Sequence, residues 1–332
     1  MRKLLPFLAT IVLLAYSCTK QAPQSTEVVT DPSADLINGR QCASNEVLEA
    51  QIAQNPARGK FLEDLEIKTI NFKGRNIANR GDVLLYVPVV VHVVSTNPSL
   101  VTDAQIASQI AVLNNDYRRT NTELNNSGVY LAGYSFAGVP DCKIQFVLKQ
   151  TIRKTTTVAS FGTNDAVKKS SQGGDNAVNA GTWLNLWVCD LSGGLLGYAQ
   201  FPGGPIATDG VVIDYQGFGL SAATTGYSLY ANFNLGRTAT HEIGHWFNLR
   251  HIWGDSRCGN DQVDDTPSHD AANYGCPSNS LKSLCKGKPY EQWMNYMDYT
   301  DDRCMYMFSA GQKTRMDAAI DASRAAYVTT TP

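Results

Sequence analysis

The chain has 332 residues, 43% of them hydrophobic, which is enough apolar material for one substantial core. Its formal net charge of −2 gives no electrostatic basis for binding nucleic acid or an anionic membrane surface. We therefore expect one main domain with an N-terminal extension, and no nucleic-acid partner.

Residues 1–18 are predicted to be a targeting segment. Arg2 and Lys3 precede an apolar stretch that is too short to span a bilayer comfortably. Cys18 follows this stretch as in a bacterial lipoprotein signal, where the cysteine is acylated after cleavage, although Ala15 stands where Leu is more usual. The alternative is a plain secretory signal that is cut near the same place. Either signal predicts export, as an outer-membrane or cell-surface lipoprotein or as a protein secreted after processing, with the lipid as the sole membrane contact.

Three further segments follow the targeting segment. Residues 19–37 are polar and short of large apolar side chains, as expected of a tether. Residues 38–80 begin with a helical pattern of apolar residues and are predicted to be a propeptide, removed by cleavage around Arg75 to Arg80. Residues 81–332 are the expected main domain.

The main domain alternates strand and helix patterns. Thr102 and Gln105 have the spacing of a capping box, and Ser309 and Gln312 repeat that spacing before the final helix. Strand-like runs occupy residues 87–94, 144–148, 184–188 and 210–213, and a helical run occupies residues 237–247. This order predicts an α+β fold with a twisted mixed sheet, helices behind it, and a looser half after His251.

The run HEIGHWFNLRH holds three of the five histidines in the chain, at positions 241, 245 and 251. Positions i and i+4 of a helix share one face, so His241 and His245 can point at one metal ion. A straight helix would place His251 about 15 Å further along the axis, so the chain must turn back. Asn248 is the natural hinge because asparagine tolerates a positive φ. Glu242 can reach a water at the metal without binding the metal, and the run therefore predicts a zinc hydrolase site.

The third histidine makes this motif more specific than HExxH alone, which occurs by chance in many helices. The run matches the longer metzincin pattern HExxHxxGxxH and departs from it at Asn248, which replaces the glycine. The other two histidines have no such context. His92 lies in the apolar run VPVVVHVV and is expected to be a hydrogen-bonded core residue, and His269 shows no ligand pattern.

A methionine turn downstream of the zinc motif is the second metzincin feature, and NYMDY at 295–299 supplies it. Met297 is expected to form an apolar floor beneath the imidazoles, with ordinary core packing as the alternative. HEIGHWFNLRH, NYMDYTDDRCMYMFSAGQ, VPVVVHVV, LNLWVC and GYAQFPGG together resemble the pappalysin family of metzincins, in particular its bacterial ulilysin-like members. The resemblance covers nearly all of residues 82–327 and implies a metzincin-type fold with a backing helix, a zinc helix and a C-terminal subdomain that contains the Met-turn.

The resemblance implies a zinc endopeptidase that acts on proteins or peptides. Glu242 would act as general base towards the zinc-bound water and then protonate the leaving amine, and Tyr299 would stabilise the oxyanion. The substrate strand is expected to pair with an exposed sheet edge near 210–213. Relatives often prefer Arg or Lys after the scissile bond, and Asp301 and Asp302 are the acids available for such a pocket.

Eight cysteines suit an exported chain. With Cys18 assigned to lipid, seven remain, and an odd number suggests one thiol with a separate role. The resemblance implies two crossing disulfides, Cys258–Cys285 and Cys276–Cys304. Each would close a loop of nearly thirty residues, worth roughly 3–4 kcal/mol.

The remaining cysteines are Cys42, Cys142 and Cys189. Cys142 and Cys189 flank two strand-like runs and are predicted to form a third disulfide. In pappalysin-like precursors an Arg-x-Cys segment lends its thiolate to the catalytic zinc, and Arg40 and Cys42 match that arrangement. Such a thiolate would deny the fourth zinc position to water. The alternatives for Cys42 are a free thiol or a disulfide partner for Cys142 or Cys189.

The segment DSRCGNDQVDDTP at 255–267 is rich in oxygen ligands. Calcium takes six to eight oxygens with tolerant geometry, although this segment lacks the EF-hand spacing. The resemblance favours a structural calcium ion, and the alternative is an acidic loop without an ion. The candidate calcium ligands are Asp261, Asp264, Asp265 and Thr266.

Two other functions compete with the endopeptidase. The first is a zinc hydrolase that acts on a small amide or a cell-wall peptide, which the long segment after His251 disfavours. The second is a zinc-containing surface lipoprotein that binds proteins without catalysis. Glu242 argues against this second function because a binding protein needs no base beside its metal.

Overall fold

The structure, a computed structural model, describes residues 39–74, 83–125 and 138–332. Cys18, the tether and the expected cleavage region at Arg75 and Arg80 lie outside these residues. All described residues belong to one unit, Ser33–Pro332. Within the described ranges no helix combines the length and the apolar character that crossing a membrane requires.

A five-stranded mixed sheet organises the described chain, with the strand order β2-β1-β3-β5-β4. The parallel strands β2, β1, β3 and β5 lie side by side, and β4 runs antiparallel to β5 at one edge. The four parallel strands contain the runs that predicted them, whereas β4 is too short to show a sequence pattern. The strands are β1 (Leu85–Ser95), β2 (Ile144–Thr155), β3 (Leu184–Cys189), β4 (Gly197–Ala199) and β5 (Gly210–Asp214).

The described residues also form five α-helices. The Thr102 hydroxyl accepts a hydrogen bond from the Gln105 N–H at the start of α3, and Ser309 and Gln312 form the predicted capping box of α5. Helix α2 was not predicted as a separate element. The helices are α1 (Ser44–Gln54), α2 (Pro56–Gly74), α3 (Asp103–Tyr117), α4 (Arg237–Trp246) and α5 (Ala310–Ala319).

Side-chain alternation along β1 divides the core into two layers. Val89, Val91 and Val93 face the main hydrophobic cluster, which includes residues of α3, α4 and α5. Val94 faces the opposite side of the sheet, where Trp187 and its neighbours form a second cluster. This period of two, with both faces covered, is the pattern of a buried parallel strand. The predicted mixed sheet with helices behind it is confirmed.

His92 lies on the side of the sheet that is opposite α4 and has no role near the zinc motif. Its Nδ1 lies 2.7 Å from Asp175 Oδ2, its Nε2 lies 2.9 Å from Asn185 Oδ1, and its ring stacks on Trp187. Its side chain is fully buried. The prediction of a hydrogen-bonded core histidine is confirmed.

The structure forms the two disulfides that the resemblance implied, Cys258–Cys285 and Cys276–Cys304. The predicted Cys142–Cys189 disulfide is wrong, since both thiols are free and buried. Cys142 precedes the start of β2 and Cys189 ends β3, two parallel strands that are separated by β1. The two thiols therefore lie at opposite ends of the sheet, and they also belong to hydrophobic clusters on its opposite faces.

Candidate active site

Helix α4 carries the first two histidines and ends in a reversal of the chain. Asn248 has φ 73°, the positive value that the hinge requires. The Leu249 N–H donates to the Gly244 carbonyl (2.9 Å) and the Asn248 N–H donates to the His245 carbonyl (2.8 Å), as in a Schellman motif. Asparagine therefore performs the turn that the metzincin pattern assigns to glycine, and this turn brings His251 back to the helix.

The three histidines of the motif point their Nε2 atoms at one place. His245 Nε2 lies 3.1 Å from His241 Nε2 and 3.1 Å from His251 Nε2. All three side chains are buried. Three lone pairs converging at this separation form a receptor for one cation, because uncharged nitrogen acceptors gain nothing from each other at that distance.

The outer nitrogens of the same rings are held by protein oxygens. An imidazole whose Nδ1–H donates to such an oxygen keeps its Nε2 lone pair free for a metal ion. Burial lowers the pKa of His241, and it lowers the pKa of His245 to about 3, so both rings are neutral. The Nδ1 partners are the Tyr296 carbonyl for His241, the Leu249 carbonyl for His245 and the Asp255 carboxylate for His251.

The Met-turn packs against α4 where the sequence predicted it. A Cβ added to Gly244 would lie 2.4 Å from Met297 Sδ, so the absence of a side chain at Gly244 allows this close contact. The Met297 carbonyl accepts from the Ile252 N–H (3.1 Å), and the neighbouring Tyr296 carbonyl accepts from His241. The turn thus holds the histidines from below through both packing and backbone hydrogen bonds.

Glu242 lies beside the histidines with its carboxylate facing the edge strand. Ser44 Oγ donates to Glu242 Oε2 (2.7 Å), and Cys42 Sγ lies 3.3 Å from the same oxygen. Burial raises the pKa of Glu242 to about 7. Gly197 of β4 allows this approach, since a Cβ there would come within 2.9 Å of Glu242 Cγ. A buried carboxyl group whose pKa lies near neutrality can both accept and donate a proton.

Cys42 is brought to the three histidines. Its Sγ and the three Nε2 atoms offer one ligand each, and the four atoms all lie within 4.8 Å of one another. Among the described residues, no other group of three or more His, Cys, Asp or Glu side chains can share one ion. Burial raises the pKa of the Cys42 thiol, so a thiolate at this place requires a cation beside it. A soft sulfur donor with three imidazoles is a donor set that suits zinc.

Tyr299 closes one side of the histidine cluster. Its ring centroid lies 4.9 Å from that of His251, and its hydroxyl donates to the Cys42 carbonyl (3.1 Å). Burial raises the pKa of the phenol, which keeps it a hydrogen-bond donor. The Trp253 ring stacks on the His251 ring, with 4.4 Å between the two ring centroids.

Residues 41–43 lie along the free edge of β4. The Leu196 N–H donates to the Gln41 carbonyl (3.0 Å), and the Ala43 N–H donates to the Gly197 carbonyl (3.1 Å). Cys42 and Gly197 form a parallel bridge. The prediction that substrate pairs with an edge near 210–213 is therefore wrong, because β5 is paired on both sides by β3 and β4. Of the two sheet edges, β2 and β4, the one that lies beside Glu242 is β4, and the segment that contains Cys42 already occupies it.

Arg40 fills a buried pocket next to this edge. Its Nη2 lies 2.6 Å from Asp302 Oδ1, its Nη1 donates to Thr238 Oγ1 (3.1 Å), and its guanidinium lies over the Phe233 ring. Arg40 is 1% exposed. The second Asp302 oxygen accepts from the Leu235 N–H (2.9 Å), which fixes the carboxylate at the pocket floor. Asp301, the other acid considered, pairs with Arg303 (3.4 Å) and acts on Arg40 only through longer-range charge attraction.

The acidic loop that was predicted to bind calcium uses its carboxylates in hydrogen bonds within the protein. Asp265 accepts from Ser309 Oγ (2.6 Å) and the Gly311 N–H (2.8 Å) at the start of α5. Asp261 accepts from Thr266 Oγ1 (2.8 Å). Calcium binding by Asp261, Asp264, Asp265 and Thr266 stays a prediction.

Several residues of this site were not predicted from the sequence. Asp255 follows His251 by four residues and could have been found as a carboxylate partner of a metal-binding histidine. Ser44 and Trp253 carry no such signal, because they reach the site through the pairing at β4 and through the chain reversal after α4.

Known proteins share this sequence and this fold. Residues 168–321 match the family model Peptidase_M43, described as pregnancy-associated plasma protein-A. An extracellular metalloprotease from Pyricularia oryzae is 34% identical over 300 residues, which are 89% of this chain and 88% of that relative. A promirolysin mutant from Tannerella forsythia superposes with a TM-score of 0.74 at 37% identity, covering 85% of this chain and 94% of its own. Mature mirolysin from the same organism, in complex with a cleaved peptide, gives a TM-score of 0.65 at 40% identity and covers 73% and 97%. Sequence identity of 34–37% extends over most of this chain and most of the extracellular metalloprotease and the promirolysin. The chain therefore belongs to the pappalysin family of metzincin zinc metalloproteases.

Proposed function

We propose that this chain is the latent precursor of an exported zinc endopeptidase, with His241, His245 and His251 as zinc ligands. The observation that carries the proposal is the convergence of three buried Nε2 atoms and Cys42 Sγ within 4.8 Å of one another. Its relatives are named extracellular metalloproteases, and one structural neighbour holds a cleaved peptide. The extracellular location of the relatives and the peptide bound to the neighbour agree with a peptide substrate outside the cytoplasm.

The catalytic steps follow from where the protein groups lie. When bound, zinc supplies a Lewis acid that polarises a peptide carbonyl and acidifies a coordinated water. Glu242 takes a proton from the attacking water and returns it to the leaving amine, a role for which its buried place beside the three histidines suits it. Tyr299 donates a hydrogen bond to the developing oxyanion with the hydroxyl that donates to the Cys42 carbonyl in the precursor. The substrate backbone pairs with the β4 edge.

Residues 38–80 act as the propeptide in this proposal, and residues 81–332 are the catalytic domain. The first segment covers the reactive groups in three ways: Arg40 fills the side-chain pocket, Cys42 faces the histidines, and Ser44 holds Glu242. The existence of a promirolysin among its structural neighbours agrees with latency. Removal of the segment, which we place around Arg75 to Arg80, would expose the β4 edge and the histidines together.

The N-terminal signal completes the proposal. We place the protein at the cell surface or outer membrane through acylated Cys18, with secretion after processing as the alternative. Labelling growing cells with a radioactive fatty acid tests this, since a Cys18→Ser variant should lose the label while a Cys142→Ser variant keeps it. Label in both variants, or in neither, would contradict lipidation at Cys18.

Metal removal tests the proposed function directly. We expect the processed protein to contain one zinc ion per chain and to lose cleavage of a peptide library when zinc is chelated, because the histidine cluster is the one group among the described residues that could hold an ion and the ion supplies the Lewis acid. Adding zinc should restore cleavage. Elemental analysis of the same sample measures zinc and calcium together and so also tests the calcium prediction. A folded, zinc-loaded and processed sample that cleaves no peptide would favour the protein-binding lipoprotein.

The pocket that Arg40 fills is proposed to select Arg or Lys after the scissile bond. We expect Asp302→Asn to lower kcat/KM for such peptides by about 30-fold or more, since losing one partner of a buried charge pair costs at least about 2 kcal/mol. The asparagine oxygen can still accept from the Leu235 N–H while its NH₂ group faces the incoming cation. Cleavage of a peptide library by both proteins measures the effect.

Asp301→Asn is the comparison variant for this experiment, because Asp301 pairs with the exposed Arg303 and acts on Arg40 only through longer-range charge attraction. It should lower the preference for basic residues far less than Asp302→Asn does. Equal losses for basic and apolar residues in the Asp302→Asn protein would indicate general damage and contradict a role in selectivity.

A further inference from the structure

Arg315 of α5 is completely buried, and its guanidinium is shared between the catalytic part and the propeptide. Its Nη1 donates to Glu66 Oε2 (2.7 Å) and its Nη2 donates to Glu66 Oε1, a bidentate pair across to α2. Its Nε donates to the Asn248 carbonyl (2.6 Å). One end of this guanidinium therefore supports the turn that brings His251 to the site, and the other end depends on a propeptide carboxylate.

Two more groups that face the Glu66 carboxylate belong to the catalytic part. Burial opposes ionisation of Glu66, but Arg315, Arg250 and Asn248 together hold its pKa below the usual value. The Asn248 side chain favours the ionised Glu66, but its Nδ2 makes no fully formed hydrogen bond to Glu66 or to any other group, although the residue is only 2% exposed. A carboxylate receptor with two cationic side chains and one amide thus lies wholly within residues 83–332.

Neighbouring carboxylates cannot take over from Glu66 without leaving their own partners. Asp255 accepts from His251 Nδ1, and Asp261 accepts from Thr266 Oγ1 and the Val263 N–H. Guanidinium does not lose its proton, so Arg315 stays a cation when α2 is removed. Removal of α2 uncovers this cation and takes away its carboxylate partner, which leaves its two parallel N–H groups open to another carboxylate.

We propose that the processed enzyme binds a carboxylate between Arg315, Arg250 and Asn248, where Glu66 lies in the precursor. The inference rests on the proposed removal of the propeptide. A carboxylate fits because its two oxygens match the two parallel N–H groups of a guanidinium, whereas a spherical anion such as chloride meets them singly. The carboxylate comes from a small organic acid or from a peptide.

Binding of a carboxylate at this site stabilises the turn at Asn248, between His245 and His251. The ligand fixes Arg315, and Arg315 Nε holds the Asn248 carbonyl in the turn between the second and third histidines. We therefore expect carboxylate binding to raise the thermal stability of the processed protein, since a ligand that binds only the folded state adds to its stability.

The full-length chain allows a test that does not require proteolytic activity. Glu66→Ala vacates the site in the intact precursor, and we expect its Tm to fall by roughly 5 °C or more. Sodium acetate should restore about 2–4 °C of that loss, and sodium chloride at equal ionic strength should not. The unaltered precursor should show no acetate effect because Glu66 fills the site. Glu63→Ala is the matched control, since Glu63 is an exposed glutamate on the same helix.

The processed protein provides the second arm. Acetate should raise its Tm, and Arg315→Lys should reduce this rise because lysine cannot form the bidentate pair. A short peptide with a free C-terminus, compared with the same peptide amidated, distinguishes a peptide source from a small acid. Acetate that stabilises neither the Glu66→Ala precursor nor the processed protein would refute the site, as would equal stabilisation of every form. If the processed protein cleaves no peptide, the two Tm measurements still test carboxylate binding, because neither depends on catalysis.

Discussion

Replacing Glu242 by glutamine should abolish nearly all peptide cleavage while the protein keeps its fold and its zinc. Proton transfer by a positioned side chain contributes about 10²–10⁴-fold to a rate, so we expect kcat to fall by that factor. Glutamine has the same shape and can still accept a hydrogen bond from Ser44 Oγ, which lies 2.7 Å from the carboxylate in the precursor. It cannot take a proton from water. The measurement is the cleavage rate of processed protein, prepared with trypsin that is then inhibited, together with its zinc content.

Glu123→Gln is the matched control, because Glu123 is a partly exposed glutamate that pairs with Arg237 outside the histidine cluster. It should retain full activity. A Glu242→Gln protein with normal zinc and undiminished cleavage would remove Glu242 from the mechanism. Binding of a test peptide by this variant without its cleavage would also show that recognition and chemistry are separable in this fold.

The zinc-binding motif could be predicted from sequence because its geometry depends on the spacing of residues that are close together in the chain. The offsets of His241, His245 and His251 encode a helix face and a chain reversal, and both are local consequences of backbone geometry. Asn248 was identified as the hinge because few residues other than glycine accept a positive φ, and its φ is 73°. Met297 came from a second motif, and the structure places it against Gly244.

Features that depend on pairing between distant segments could not be predicted in this way. The three residues of β4 have no periodicity, yet β4 covers β5 and moves the free edge away from 210–213. The error at Cys142 and Cys189 has the same origin, because proximity to strand ends does not say which end of a parallel sheet each thiol reaches. The bidentate pair between Glu66 and Arg315 joins residues that are 249 positions apart, and no local rule connects them.

Replacing Cys42 by alanine should release much of the latency of the intact precursor. The substitution removes the sulfur that faces the three Nε2 atoms and so opens the fourth position to water. Arg40 and the β4 pairing remain, so inhibition should be weakened rather than lost. We expect cleavage by the intact chain to rise by about tenfold or more, because each 1.4 kcal/mol of lost inhibitory binding is a factor of ten. The measurement is cleavage of a peptide by uncut protein, with self-processing followed on a gel.

The same substitution has a readout that is independent of activity. Cobalt in place of zinc should show a thiolate-to-metal charge-transfer band in the unaltered precursor, and this band should be absent from the Cys42→Ala protein. Cys142→Ala is the matched control, since Cys142 is also a buried free thiol but lies in the core beside the start of β2. It should keep both the band and the latency. Full latency in a zinc-loaded Cys42→Ala chain would mean that Arg40 and the edge pairing suffice, and that the thiolate is not the inhibitory group.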